Sequence, residues 1–124
     1  MALKILKVEN GSTPNDEVVR LKATIKMSVL GYAIVDRTFD ENGLVSNEFR
    51  HIYVLPDITL EKDQELMVFT GTGKNGKRKY SNSEREYFEY YWGSDQCIWN
   101  DKGGDTATLI RYEVIDHCDV LAVS

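Results

Sequence analysis

The chain is poor in the residues that mark disordered, disulfide-rich or membrane-spanning proteins. Its 124 residues include two prolines and two cysteines, and no apolar run approaches the roughly 18 residues of a membrane-spanning helix. Residues 1–11 have only short apolar steps interrupted by Lys4 and Lys7, which excludes the core of a signal peptide. We therefore expect a cytoplasmic protein without a membrane span, and an exported protein that has lost its signal remains the alternative.

Low-complexity tracts are also missing. Hydrophobic residues make up 42% of the chain and charged residues 28%, which is typical of folded soluble proteins. A chain of this length buries roughly two thirds of the surface that its unfolded form exposes. We predict one domain covering residues 1–124.

Positive charge is scarce, because the net charge is −5 and the pI is about 5.0. Such a balance disfavours general attraction to phosphate backbones or anionic lipid, so nucleic acid would need a local basic patch.

Sequence signals for metal binding and catalysis are missing as well. Cys97 and Cys118 form no CxxC motif and have no flanking histidine ligand set, so two unpaired buried thiols are favoured over a disulfide. His117 and Cys118 are neighbours on a predicted strand and point to opposite faces, which argues against Cys–His catalysis. We predict no catalytic residue, no metal and no cofactor, and expect that the protein is not an enzyme.

Alternation of apolar and polar residues predicts many short strands joined by glycine-rich turns. The predicted strands are 3–9, 17–24, 32–36, 49–55, 65–71, 96–100, 105–113 and 114–122. One short helix is predicted within 81–91, where Ser83 and Glu86 match a capping box. The pattern favours an all-β antiparallel sandwich or barrel and excludes a sheet with crossover helices.

Two glycine-containing segments resemble ligand-binding loops, but each has other residues at positions where the ligand requires specific side chains. Residues 71–78 match the G-x-x-x-x-G-K core of a phosphate-binding loop, but Arg78 replaces the magnesium-binding Ser or Thr. Residues 38–49 resemble a calcium loop, but Thr38 and Phe49 stand at essential ligand positions. A hairpin loop and a tight turn are the predictions for these segments.

The concentrated positive charge of the chain lies in Lys74, Lys77, Arg78 and Lys79, with Tyr80 beside it. This cluster is the best candidate for binding a phosphate or an acidic partner. A solvated loop that binds nothing is the favoured alternative.

The segment 96–109 carries both the strongest structural signal and a family resemblance. We expect Trp99 to fill the core, Gly103 and Gly104 to permit positive φ angles, and Asp105 to accept backbone hydrogen bonds in the turn. Together with Asn100, these residues resemble the Trp-Asn, glycine-turn, Gly-Asp-Thr-Ala run of the lamin-tail domain.

Upstream segments are similar to the same family in the same order. They are NDEVVRLK, LGYAIVD and LEKDQELMVFTGTG, so the resemblance covers nearly the whole chain. Departures are Tyr32 in place of Trp, Lys62 and Asp63 in place of Pro-Gly, and a longer basic and aromatic insert over residues 74–91.

The resemblance implies an immunoglobulin-like sandwich of about seven to nine strands, in the form of a prokaryotic-type stand-alone copy. It also implies a non-catalytic module that binds proteins or serves as a scaffold. A ligand-binding or nucleic-acid-binding domain that uses the basic loop 71–80 is the alternative. A protein partner is expected, and its identity and the oligomeric state are left open.

Overall fold

The computed structural model describes the backbone of residues 1–39, 45–99 and 106–123, and all of their side chains except those of 37–39 and 45–50. The regular secondary structure of this part of the chain is almost entirely β-strand, as predicted. The strands are β1 (Leu3–Glu9), β2 (Val18–Ala23), β3 (Met27–Ser28), β4 (Tyr32–Phe39), β5 (Val45–Val54), β6 (Thr59–Leu60), β7 (Glu65–Phe69), β8 (Gly76–Lys79), β9 (Glu86–Tyr91) and β10 (Ala107–Arg111). Helical structure in the described residues is limited to one 3₁₀ turn, Pro14–Asp16.

The strands form an all-β sandwich. The larger sheet has the order β1-β2-β7-β9-β8, the smaller sheet has the order β10-β4-β5, and β3 and β6 form a two-residue ladder. Six of the seven described strand pairings are antiparallel. The exception is the pairing of β7 with β9, which is parallel, so the larger sheet is mixed. Setting aside the two-residue strands β3 and β6, the architecture agrees with the predicted sandwich.

Strand β2 shows why the alternating pattern folds as it does. Val19, Leu21 and Ala23 are fully buried, whereas Arg20 and Lys22 lie on the opposite face. In β1 the register shifts between Ile5 and Lys7. Such a bulge adds one residue to a strand, and it lets Ile5 and Val8, which are three positions apart, both pack against the core.

The core lies between the two larger sheets. Its fully or nearly fully buried members include Leu21 and Leu66 from the larger sheet, Ile34 from the smaller one, and Trp99 from the segment that precedes β10. Trp99 packs edge-on against Trp92 at 6.1 Å between ring centroids. The prediction that Trp99 is buried is confirmed.

Three predicted elements are different in the structure. The predicted helix is instead β9, because alternate residues of this segment face opposite sides of the sheet and β9 pairs with both β7 and β8. Residues 96–99 form no strand, since Ile98 and Trp99 donate their backbone hydrogen bonds to the side chain of Glu17. The described residues beyond Glu113 form no strand either, because no neighbouring strand of the same chain pairs with them.

Candidate functional site

The predicted basic loop is largely an edge strand. Residues 76–79 form β8, whose side chains alternate between the two faces of the larger sheet. Arg78 lies opposite Tyr87 in the register with β9, and Lys77 lies opposite Phe88. The strand therefore separates the basic residues instead of bringing them together at one point.

Acidic and aromatic neighbours already engage most of this basic cluster. Lys79 forms an ion pair with Glu84 at 3.1 Å, and the Nε atom of Arg78 lies 3.6 Å from a carboxylate oxygen of Glu89. The ammonium group of Lys77 lies 5.4 Å from the ring centroid of Phe88. Lys74 is exposed in the connection before β8. The positive charge of this cluster is therefore partly neutralised by acidic neighbours and is divided between the two faces of the sheet.

Tyr80 belongs to a polar network on the solvent face of the larger sheet. Its hydroxyl donates to Glu65 at 2.8 Å, and Arg20 donates to the other carboxylate oxygen at 2.9 Å. Burial, followed by this hydrogen bond to Glu65, raises the pKa of Tyr80 to about 12. The ring of Tyr80 also packs against that of Tyr87 at 4.6 Å.

A second carboxylate organises the neighbouring tyrosines. Glu89 accepts hydrogen bonds from the hydroxyls of Tyr87 at 2.7 Å and Tyr91 at 3.0 Å. The pKa of Tyr87 is raised, mainly by its hydrogen bond to Glu89. The pKa of Tyr91 is also raised, mainly by burial and then by its hydrogen bond to Glu89. Both tyrosine hydroxyls therefore already donate to Glu89, and they do not converge as donors on a ligand site.

Residues 71–78 do not form a phosphate-binding loop. A strand follows the connection where such a loop requires a helix. A side chain at Gly71 would overlap Asn15, whose side-chain oxygen accepts a hydrogen bond from the backbone N–H of Thr72. Gly73 packs against the ring of Tyr91. These glycines therefore serve close packing. The hairpin-loop prediction is wrong, because the connection joins β7 to β8 and β9 lies between these two strands in the sheet.

A buried carboxylate holds the segment that carries Trp99. Glu17 is fully buried, and its two side-chain oxygens accept hydrogen bonds from the backbone N–H groups of Ile98 at 2.8 Å and Trp99 at 3.0 Å. The other members of the predicted structural set, Asn100, Gly103, Gly104 and Asp105, lie outside the described residues, as does most of the calcium-like segment 38–49.

The two cysteines are free, as predicted, but only Cys97 is partly buried and Cys118 is exposed. Burial raises the pKa of Cys97, and the negative charge of Glu17 adds to this effect. The prediction of two buried thiols is wrong for Cys118, because residues 113–123 lie outside the sandwich.

Asp36 and His51 face each other across β4 and β5. Asp36 is buried, and its carboxylate lies 3.4 Å from the Nδ1 atom of His51. Within the part of the chain that the structure describes, no group of His, Cys, Asp and Glu side chains is arranged to hold a metal ion.

The face of the smaller sheet that points away from the core is apolar and partly exposed, which the sequence analysis missed. Ala33 lies between Val54 and Ile110 in the register, and Val35 lies opposite Ile52. These five residues face away from the core residue Ile34, and we call them the apolar sheet face. Ile52 and Val54 are 49% and 52% exposed. Consecutive apolar residues on a strand indicate burial on both faces, so the run AIV in β4, whose three residues are fully buried, was the available signal.

The segment 112–123 is a second exposed apolar feature. Val114, Ile115, Val120 and Leu121 are between 73% and 92% exposed. Where this segment leaves β10, the backbone N–H of Tyr112 still donates to Gly31 at 2.8 Å. Beside the end of β10 lies an apolar groove of about 410 Å³, lined by residues 1–3, Tyr32 and residues 109–111. We call it the edge groove.

Comparison of this all-β sandwich with protein-family models, curated proteins and solved structures found no match. The resemblance to the lamin-tail domain therefore stays a prediction. Among the described residues, no helix has the length and apolar composition needed to cross a bilayer.

Proposed function

We propose that this protein is a non-catalytic module that binds another protein through the apolar sheet face. The observation that carries the proposal is the half exposure of Ile52 and Val54 over the buried residues Ala33 and Val35. A contiguous apolar patch costs free energy in water, and burial against a partner recovers it.

The shape and chemistry of this surface support protein binding over small-molecule binding. The apolar sheet face is part of a three-stranded sheet, and its half-exposed members Ile52 and Val54 are β-branched residues of the edge strand β5. Small-molecule sites are instead concave and combine apolar walls with a few convergent polar groups. The basic residues of β8 do not supply that alternative, because Arg78 and Lys79 already face acidic partners.

The test compares the whole chain with a variant in which Ile52→Asp and Val54→Asp are combined. Both proteins are immobilised and exposed to native lysate, and retained proteins are identified by mass spectrometry. The matched control combines Ile25→Asp and Leu30→Asp, since Ile25 and Leu30 are 56% and 58% exposed and lie outside the apolar sheet face. Circular dichroism confirms that all three proteins are folded.

We expect one or more proteins that are retained by the wild type and by the control but not by the variant in the apolar sheet face. Two aspartates in a desolvated interface would weaken binding by at least about tenfold, because burying an unpaired charge is costly. Retention of the same proteins by all three baits, or of none by the wild type, would contradict the proposal.

A further inference from the structure

The segment 112–123 and the edge groove are two further exposed apolar features, and the groove shares Ile110 with the apolar sheet face. The segment is extended and lies outside the described sheets, and its apolar side chains are almost fully exposed. Leu121 is 92% exposed, and Ile115 is 90% exposed. An apolar segment whose backbone N–H and C=O groups are unpaired can form a β-strand when another strand pairs with it.

The edge groove lies beside strands that each have an open side. Among the described strands, β10 pairs only with β4 and β1 pairs only with β2. Each therefore has one edge whose backbone groups do not join a described ladder. Apolar residues of both strands, including Leu3 and Leu109, line the groove between them. An added strand could bury its side chains there and hydrogen-bond to an edge.

The same chain cannot easily place its own segment in this groove. The segment leaves from the end of β10, so it would have to reverse direction at once to lie beside that strand. A tight reversal uses glycine, proline, asparagine, aspartate or serine, and residues 111–115, where the chain would have to turn, contain none of these. The hydrogen bond from Tyr112 to Gly31 continues the direction of β10 past its last residue.

Charge is also complementary between the segment and the groove. Arg111 lines the groove, with its guanidinium 5.5 Å from the ring centroid of Tyr32. The segment carries Asp116 and Asp119 between its two apolar ends. A second copy of the chain supplies a segment with both the apolar ends and the acidic centre that the groove accepts.

We propose that two copies of this chain exchange their 112–123 segments, each adding a strand at the edge groove of the other. Exchange of identical elements between copies closes a symmetric dimer, because every copy offers one donor segment and one acceptor groove. This self-association goes beyond the proposed function, and the surface that it uses shares Ile110 with the apolar sheet face.

Sedimentation velocity of the purified full chain over a wide range of concentrations tests the proposal. We expect a monomer–dimer equilibrium for the wild type. Val120→Asp combined with Leu121→Asp should raise the dimer dissociation constant by at least about tenfold, since two charges would enter an apolar groove. Ile25→Asp combined with Leu30→Asp should leave it unchanged.

A charge exchange between copies tests whether the segment of one copy reaches the groove of another. Arg111→Glu, or Asp116→Lys combined with Asp119→Lys, should each weaken the dimer when studied alone. An equimolar mixture of these two variants should dimerise like the wild type, because each groove then meets a segment of opposite charge.

A wild-type chain that stays monomeric at every concentration would overturn the exchange. So would a dimer that is unaffected by the Val120 and Leu121 substitutions, or a mixture of the charge variants that does not recover. Because these measurements use the purified chain alone, their failure leaves the lysate experiment on the apolar sheet face unaffected. Failure of that experiment likewise leaves the sedimentation result standing.

Discussion

The side-chain Oε2 of Glu17 accepts a hydrogen bond from the backbone N–H of Trp99 at 3.0 Å, although 82 positions separate the two residues. The other carboxylate oxygen of Glu17 accepts from Ile98. Glu17 thus replaces the neighbouring strand that the backbone of residues 98–99 lacks. This contact ties the start of β2 to the aromatic core around Trp99 and Trp92.

Glu17→Ala should lower the free energy of unfolding by about 2–6 kcal/mol, because it leaves two buried N–H groups without acceptors at roughly 1–3 kcal/mol each. Chemical denaturation of the purified protein measures the change. Glu84→Ala is the control, since the Glu84 side chain is 94% exposed, and it should change stability by less than about 0.5 kcal/mol. Equal effects of the two substitutions would argue against a structural role for the Glu17 carboxylate.

Trp99→Ala should cost about 3–5 kcal/mol of unfolding free energy, as large aromatic truncations in cores do. Trp99→Phe should cost less, because it keeps an aromatic ring against Trp92, and the indole Nε1 has no hydrogen-bond partner among the described residues. Both values come from denaturant titrations. A loss below about 1 kcal/mol for the alanine variant, as for surface changes, would show that Trp99 is not a core residue.

Tyr80 should make stability depend on alkaline pH. Its pKa rises from 10.0 to about 12 on folding, mainly through burial and the hydrogen bond to Glu65. Between these values the folded state holds a proton that the unfolded state has released, so this stabilisation is complete below pH 10 and is lost as pH rises through about 12.

Over that pH range, Tyr80→Phe should lose less stability than the wild type in denaturation experiments. Glu65→Gln should lower the pKa of Tyr80, followed by the ultraviolet absorbance of phenolate, because it removes the negative charge beside the hydroxyl. Identical pH profiles for the wild type and Tyr80→Phe would show that the hydrogen bond has no role in stability.

The two thiols should react at different rates with a thiol reagent at mildly alkaline pH. Cys118 is exposed, whereas burial and the charge of Glu17 raise the pKa of Cys97. We expect a fast phase from Cys118 and a phase slower by roughly tenfold or more from Cys97, because the thiolate is the reactive form. Cys118→Ser should remove the fast phase alone, and loss of the slow phase instead would reverse the assignment.

The basic residues of β8 and the connection before it should not support nucleic-acid binding at physiological salt. Four phosphate contacts would give a slope of log affinity against log salt of about −3 to −4. Fluorescence anisotropy with labelled single- and double-stranded oligonucleotides, at two salt concentrations, compares the wild type with a variant in which Lys74, Lys77, Arg78 and Lys79 are alanine. Micromolar binding that weakens with salt and vanishes in the variant would make this cluster the functional site.

The all-β class and most of the long strands could be predicted from residues alone. In β2, apolar and polar residues alternate with period two, and burial follows that alternation from Val19 to Ala23. Local pattern is sufficient in these cases, because the side-chain period of a strand matches the two environments on either side of a sheet.

The candidate surfaces could not be predicted in the same way. Strand β4 is apolar on both faces, and the sequence does not show that Ile52 and Val54 are half exposed, because this depends on what covers the smaller sheet. The basic cluster is contiguous in sequence, but β8 places Lys77 and Arg78 on opposite faces. Acidic residues distant in sequence, such as Glu65 beside Tyr80, then complete the network.

By itself, the sequence determined which segments favour extended structure, and it determined this through side-chain period and β-branched composition. Only the tertiary structure decided which of these segments became strands. Residues 96–99 and 114–122 both look like strands, but one donates its hydrogen bonds to Glu17 and the other extends past β10 with no strand beside it. The physical reason is that a strand is stable only when a neighbour satisfies its backbone, and that neighbour comes from elsewhere in the fold.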